Sequence, residues 1–388
     1  MIPVAEALEH VVSLVDPLGI EVVSIRDAAG RMLAHPVAAR RSQPPFRSSA
    51  MDGYAVVAAA PGDRLQVIGE AVAGRRWEGT VGRGEAVRIF TGAPVPEGAE
   101  RVIIQEDVKR EGKSIVLGDS LDPGPYVRAS GADFSKGDEI APRVLRPVDL
   151  ALLASMNIAR VPVIRRPTVT IIATGDELMM PGEEPGPDQI IASNAFGVAA
   201  MLEDAGAEAR LLPIARDTPT SLGFVLDLAS EADLVITIGG ASVGEHDIVA
   251  AVAEGRGLER TFHKVAMRPG KPLMAGHMGD AAMLGLPGNP VSALVCGLVF
   301  AVPMVRAMLG LGRGPVPRHS GRLAAGLDGN GQREHYMRAR MTGQGLLAAE
   351  RQDSSLLSVL ADADALLIRP PNDAPRPAGA EVEFIPLP

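Results

Sequence analysis

Two near-continuous apolar runs, Thr168-Val-Thr-Ile-Ile-Ala-Thr-Gly175 and Asp233-Leu-Val-Ile-Thr-Ile-Gly-Gly240, constrain this chain more than any other feature. Each reads as a buried strand stopped by glycine. Helical patterns lie between them at 193–206, with Ser193 a capping candidate and Gly206 a stop, and at 220–229. A further strand is expected at 208–213. Strands and helices alternating in this way predict an α/β domain with a mostly parallel sheet over 167–310. Ligands in such folds bind beyond the carboxyl ends of strands, where the glycine-rich segments fall.

The remaining sequence follows other rules. With 43 glycines and 32 prolines, punctuation is dense, and it is spread among short strands rather than gathered in one linker. Residues 3–16 carry Val4, Leu8, Val11, Val12 and Val15 at helical spacing. From 42 to 128 short β runs alternate with glycine, predicting a β-rich inserted domain. Residues 1–41 and 129–166 are expected to form an elongated linker domain, left and re-entered by the chain. Residues 311–388 are expected to form a small carboxyl-terminal β domain. The fold class is therefore multidomain α/β and β.

At 388 residues the chain has room for two or three domains without staples. A net charge of −9, from 38 basic and 47 acidic residues, disfavours a nucleic-acid surface but leaves room for small anions in a local basic pocket. Cys296 is the one cysteine, set in an apolar run as a small buried hydrophobe, which agrees with a reducing compartment. The first eighteen residues hold Glu6, Glu9 and Asp16, unlike a secretory leader, and the apolar run 291–305 is short for a membrane span. A cytoplasmic protein is expected.

Seven segments carry candidate chemistry. Ser48-Ser-Ala-Met-Asp-Gly-Tyr-Ala-Val56 presents Asp52 on a tight turn. Thr174 and Gly175 offer a hydroxyl and a close backbone approach, while Asp176 and Glu177 either cap the turn or hold a cation through water. Gly239, Gly240 and Gly244 let amides crowd an anion, with Ser242 adding a hydroxyl and Asp247 a metal or proton partner. This loop is neither a Walker loop nor the dinucleotide fingerprint. Lys264, Arg268 and Lys271 place three cations in one short segment, with Arg268 suited to gripping oxyanions and Lys271 to supplying a compact charge. Pro287, Gly288 and Asn289 shape a strand-to-helix turn that binds a ligand or caps the helix. Thr91 stands in another turn, and Arg128 and Asp133 in a further segment, either as ligand groups or as partners of each other.

Taken together, Ser49-Ala-Met-Asp-Gly-Tyr-Ala, Thr91-Gly-Ala-Pro-Val-Pro, Thr174-Gly-Asp-Glu-Leu, Gly239-Gly-Ala-Ser-Val-Gly, Met267-Arg-Pro-Gly-Lys-Pro and Leu286-Pro-Gly-Asn-Pro-Val-Ser-Ala resemble the molybdopterin molybdenumtransferase (MoeA-type) family, which is related to the carboxyl-terminal domain of gephyrin. The resemblance implies insertion of molybdenum from molybdate into adenylylated molybdopterin, with magnesium-assisted release of AMP. It also implies a homodimer whose subunits share an active site. Asp52, Thr91, Arg128 and Asp133 would come from one side of that site, and Glu177, Asp217, Ser242, Asp247, Arg268 and Lys271 from the other. Ser354 and Ser355 match the family's serine-containing loop. On this reading Asp52, Glu177, Asp247 and Lys271 are catalytic, and Glu177, Asp217 and Asp247 position hydrated magnesium.

Two departures stand out: the 128–133 segment is less charged than the family form, and Arg268 replaces a common lysine. The alternatives are a molybdopterin adenylyltransferase and a catalytically inactive gephyrin-like scaffold. A molybdopterin adenylyltransferase and molybdoenzyme maturation proteins are the expected partners.

Overall fold

A computed structural model describes residues 1–240 and 248–387. The chain forms two compact units: Val22–Val163, and Met1–Glu21 together with Ile164–Pro388.

In the larger unit the apolar runs build a six-stranded sheet. Its order is Glu208–Leu211, Thr168–Ala173, Leu234–Ile238, Ala281–Leu286, Pro272–Met278, Leu258–Lys264. The first four strands run parallel, and the last two are added antiparallel. Leu234–Ile238 and Ala281–Leu286 are buried at every position, so both faces must be covered. Asn194–Asp204 and Pro290–Cys296 pack one face through Val198, Leu202 and Val291, and Pro219–Asp227 and Ile248–Glu254 pack the other through Leu222, Val225 and Val249. Each such side chain contributes about 1.5–3 kcal/mol on burial.

The helix ends divide by backbone geometry. Thr218 is extended and its hydroxyl accepts from the Ser221 amide at 3.2 Å, capping Pro219–Asp227. Ser193 does not cap its helix: its backbone is already helical, and its hydroxyl bonds the Asn194 side chain at 3.3 Å. A cap needs an extended residue to swing its oxygen over the first amides.

The apolar helix continues to Met308, giving 19 residues, Pro290–Met308, with 83% of its most apolar window buried inside the fold. It serves as a core helix here. Within it Gly297–Ala301 is a π turn in which the Val302 amide bonds the Gly297 carbonyl. The wider turn directly precedes Pro303, which has no amide to donate.

The same unit holds a second sheet, ordered Met267–Arg268, Glu334–Thr342, Ala365–Arg369, Glu381–Pro386 and His319–Arg322. Its first strand leaves the α/β domain to pair in parallel, setting Arg268 opposite His335.

In the smaller unit a third six-stranded sheet runs Arg101–Ile104, Gly53–Val56, Glu85–Ile89, Arg64–Ala71, Ser114–Leu117, Val108–Glu111. Tyr54 and Ala55 point to opposite faces and into separate apolar clusters, so this sheet too is covered on both sides. A further cluster joins Leu33 and Ala39 to Leu145, Leu153 and Val163, and Val37–Ala38 pairs with Glu139–Ile140. The chain thus leaves this cluster, builds the β sheet and returns.

Candidate functional site

The carboxyl ends of Thr168–Ala173 and Leu234–Ile238 open into a cavity of about 580 Å³. Successive connections leave these two strands in opposite directions across the sheet, which is where a crevice forms in an α/β fold. Thr174 is 3% exposed, and among the described residues its hydroxyl has no hydrogen-bond partner. Gly239 sits beside it at φ +99°, where a Cβ would lie 2.6 Å from the Thr174 carbonyl. Only glycine fits that approach. Gly175 and Gly240 complete the strand ends lining the cavity.

The opposite wall is the turn Pro287, Gly288 and Asn289. Asn194 Nδ2 donates to the Gly288 carbonyl at 2.7 Å, and Asn289 Nδ2 donates to Ser354 Oγ at 3.2 Å. Asn289 therefore makes no side-chain cap and instead ties the turn to the serine loop. Ser355 reaches the cavity, held by its amide and hydroxyl on Asp353 Oδ1 at 2.8 and 2.6 Å. The loop itself hangs on Arg338, which is fully buried. Its guanidinium donates to the carbonyls of Arg351, Gln352 and Asp353, and the Gln352 side chain bonds the Arg338 backbone in both directions.

Glu177 and Asp217 line the same cavity. Asp176 turns away to accept from the Asp217 amide at 3.3 Å. Partial desolvation, then repulsion from Asp176 and Glu177, holds the Asp217 carboxyl above its ordinary range. Leu178, Ile190 and Ile191 form an apolar flank, the first two paired across short parallel strands.

Arg268 and Lys271 line a different cavity, of about 430 Å³, shared with Asn330 and Arg333 from the carboxyl-terminal domain. Sequence neighbours line the two cavities, Lys271 this one and Pro272 the other. Gly270, at φ +103°, lies against buried Cys296, so a side chain there would collide with the sulfur. His335, opposite Arg268, is 6% exposed, and among the described residues Nε2 has no partner. Burial, then the fields of Arg268, Arg338, Arg333 and Arg369, pushes its pKa down to about 4. It is neutral at pH 7.

Asp52, Thr91, Arg128 and Asp133 belong to the smaller unit. Asp52 Oδ1 accepts from the Thr91 amide at 2.8 Å and from its hydroxyl at 2.7 Å. The Thr91 amide, then its hydroxyl, and further the Arg88 charge hold Asp52 below the usual carboxylate range. Arg128 pairs with Ser48 on the strand that leads into the Asp52 turn. The Asp133 amide bonds the Gln43 carbonyl at 2.9 Å.

Ser242 and Asp247 lie outside the described residues. Among the described residues no group of three or more His, Cys, Asp or Glu side chains is gathered to hold a metal. Sequence reasoning missed Arg88, Arg333, Arg338, Gln352 and Asn194. Of these, only Asn194 had a local signal, its place at the start of a helix facing a strand-end loop.

Family models match along the chain. One described as "MoeA N-terminal region (domain I and II)" covers residues 2–157, "Probable molybdopterin binding domain" covers 170–307, and "MoeA C-terminal region (domain IV)" covers 320–387. The chain is 35% identical over 387 residues to a molybdopterin molybdenumtransferase of Nostoc sp., covering 95% of this chain and 89% of that protein. It is 36% identical over 378 residues to a molybdopterin molybdenumtransferase 2 of Mycobacterium tuberculosis, covering 93% of each. A crystal structure of the molybdopterin biosynthesis moea protein from Pyrococcus horikosii superimposes with a TM-score of 0.87 at 32% identity, covering 100% of this chain and 99% of that one.

Two outcomes follow from these contacts. Arg338→Met leaves the three loop carbonyls without their donor, so the thermal midpoint should fall by an amount equivalent to about 2–4 kcal/mol, and limited proteolysis should newly cut at 351–355. For His335 the folded pKa, about 4, lies below the free value of 6.5. The unfolded chain therefore takes up this proton first. The contribution is whole above pH 6.5 and is lost as pH falls toward 4. Denaturant titrations from pH 7 to 4 should show the parent losing on the order of 2–3 kcal/mol more than His335→Gln.

Proposed function

This chain belongs to the MoeA family of molybdenum-inserting transferases, and we propose that its substrate is adenylylated molybdopterin, which takes molybdenum from molybdate as AMP leaves. The observation that carries this reading is a pair of cavities lined by the neighbours Lys271 and Pro272, one acidic and glycine-lined, the other basic. A phosphoanhydride and an oxyanion need different surroundings, and this backbone segment supplies both within one residue.

In the first cavity Gly175, Gly239 and Gly240 leave space for phosphate oxygens against the backbone, and the unpartnered Thr174 hydroxyl donates to one of them. Leu178, Ile190 and Ile191 give a flat heterocycle an apolar wall. Asn289, Ser354 and Ser355 hold the ligand from the other side, and Ser242 adds a hydroxyl from the glycine loop. Arg268 and Lys271, with Arg333, hold molybdate in the second cavity. Arg268 brings a planar fork where a lysine is common, which suits a tetrahedral oxyanion gripped by two donors.

The carboxylates fit magnesium. Desolvation, and then the charges of Asp176 and Glu177, hold the Asp217 carboxyl above its ordinary range; a divalent cation offsets that repulsion, and oxygen donors suit a hard ion. Magnesium keeps much of its water shell and uses one or two carboxylates with substrate phosphates, so a preformed cage of three side chains is not needed. Glu177 and Asp217 would hold it, with Asp247. When bound, it neutralises charge on the phosphate oxygens.

Asp52 positions the attacking oxygen. Both bonds from Thr91 fall on Oδ1, and we assign Oδ2 to the ligand. We assign Asp52, with Thr91, Arg128 and Asp133, to the active site of the partner subunit in a homodimer, acting in the cytoplasm.

Lys271→Ala should raise the half-saturating molybdate concentration by about tenfold while the KM for adenylylated molybdopterin stays within about twofold. AMP release measured at varied molybdate checks this, and an unchanged molybdate dependence removes Lys271 from the oxyanion site. Asp52→Ala and Glu177→Ala should each cut AMP release by about 100-fold. Mixed after subunit exchange, they should regain about a quarter of the parental rate, because half the dimers are mixed and each carries one intact site. No recovery in verified mixed dimers counts against a shared site.

A further inference from the structure

The turn that presents Asp52 is held by contacts that go well beyond Thr91. Gly53–Val56 runs between Glu85–Ile89 and Arg101–Ile104, so the residue after Asp52 is paired on both edges. A side chain at Gly53 would collide with the Ile103 carbonyl. The Asp52 carbonyl accepts from the Gln105 amide at 3.1 Å. One side chain gathers these pieces. Arg88 donates through one terminal nitrogen to the Gly53 carbonyl at 3.1 Å and through the other to Gln105 Oε1 at 2.8 Å.

The guanidinium is also enclosed by aromatic rings, with its carbon 5.1 Å from the Tyr54 centroid and 4.6 Å from that of Phe90. Phe90 immediately precedes Thr91, the residue that bonds the Asp52 carboxylate. Arg88 therefore touches the segment before Thr91, the residue after Asp52, and the residue whose amide holds the Asp52 carbonyl. A planar cation with a fork of donors can do this, whereas an aliphatic side chain of equal length fills the space without fixing the three segments.

We propose that Arg88 is a positioning residue for Asp52, locking the turn so that the carboxylate presents Oδ2 to the reacting oxygen. The inference rests on the reading of Asp52 given above. Its positive field also favours the ionised carboxylate. Among the charged groups on neighbouring elements, Glu106 accepts from the Gln105 side chain at 3.3 Å and Arg101 donates to the Asp122 carbonyl at 2.7 Å, while Arg128, on the strand paired with Ser48–Ser49, is exposed. Glu85 accepts from the Gly82 amide at 2.8 Å.

The test uses full-length Arg88→Gln, Arg88→Lys and Asp52→Asn, with AMP release from adenylylated molybdopterin and molybdate followed across pH. Arg88→Gln should lower kcat by about tenfold or more while KM for the pterin stays within about twofold. Removing the positive field raises the pKa of Asp52, so the acid limb of the kcat profile should move to higher pH. Arg88→Lys keeps the charge and loses the fork, so it should restore the acid limb but not kcat. Emission from Trp77, the one tryptophan of the chain, reports whether the smaller unit is folded. If Arg88→Gln does not fold, Arg88→Lys decides, and a parental kcat in that variant overturns the proposal. A folded Arg88→Gln with parental kcat and acid limb, beside an inactive Asp52→Asn, also overturns it. If Asp52→Asn itself retains parental AMP release, the role of Asp52 fails, and that of Arg88 falls with it.

Discussion

Parallel pairing between Thr168–Ala173 and Leu234–Ile238 is the interaction on which the first cavity depends. Parallel neighbours end at the same edge of a sheet, so their loops emerge side by side. With Ala173 opposite Ile238, Thr174 meets Gly239 where there is room for no side chain between them. The Thr174 amide is bonded to the Ile238 carbonyl at 3.0 Å and the Gly239 amide to Leu286 at 3.1 Å, so three strand ends are fixed together. The carboxylates, the Asn289 turn and the serine loop are then placed against this frame. A one-residue slip would turn every core side chain of these strands to the wrong face.

Charge is the second organising element. An acidic chain concentrates cations at one place, where Arg268, Lys271 and Arg333 surround a cavity and Arg338 and Arg369 are buried nearby in sequence and sheet. The buried arginines are tied to backbone oxygens or to Asp373, so they stiffen the sheet. The exposed cations remain for an anion. His335 sits among them uncharged, which adds a polar ring without adding repulsion. Acidic groups are kept on the other side of Pro272, in the first cavity.

How much of this was legible in the sequence depended on how local its cause is. Thr174-Gly, Gly239-Gly and Pro287-Gly-Asn announced themselves because tight turns demand particular residues. The strands at 168–173 and 234–238 were legible from burial on both faces. Arg338 was not, because nothing in its short β run sets it apart from Arg340, and only its neighbours hold it inward on three carbonyls. In the carboxyl-terminal domain the sequence pointed to Ser354 and Ser355 but not to Arg333. Met267–Arg268 crosses over to join its sheet, and this brings Arg333 to Lys271. Arg88 was hidden for the same reason: its value lies in strand register and ring placement, which no short motif encodes. Ser193 and Asn289 had the right chemistry for caps, but backbone conformation and a competing serine gave them other partners.

The interleaved path of the chain sets an order of events during synthesis. The helix Val4–Ser13 buries Val4, Val11 and Val12 in the same core as Val302, Val305 and Met308, so it leaves the ribosome long before these partners are made. Throughout that interval its apolar stripe has no partner. The smaller unit, Val22–Val163, contains its own clusters and emerges whole in the meantime. It can fold as a closed excursion between two ends that are still unjoined, and domains generally fold as units while the chain emerges. The larger unit closes only after residues 302–308 have been made, which makes the waiting helix Val4–Ser13 a natural client for chaperones that cover apolar surface.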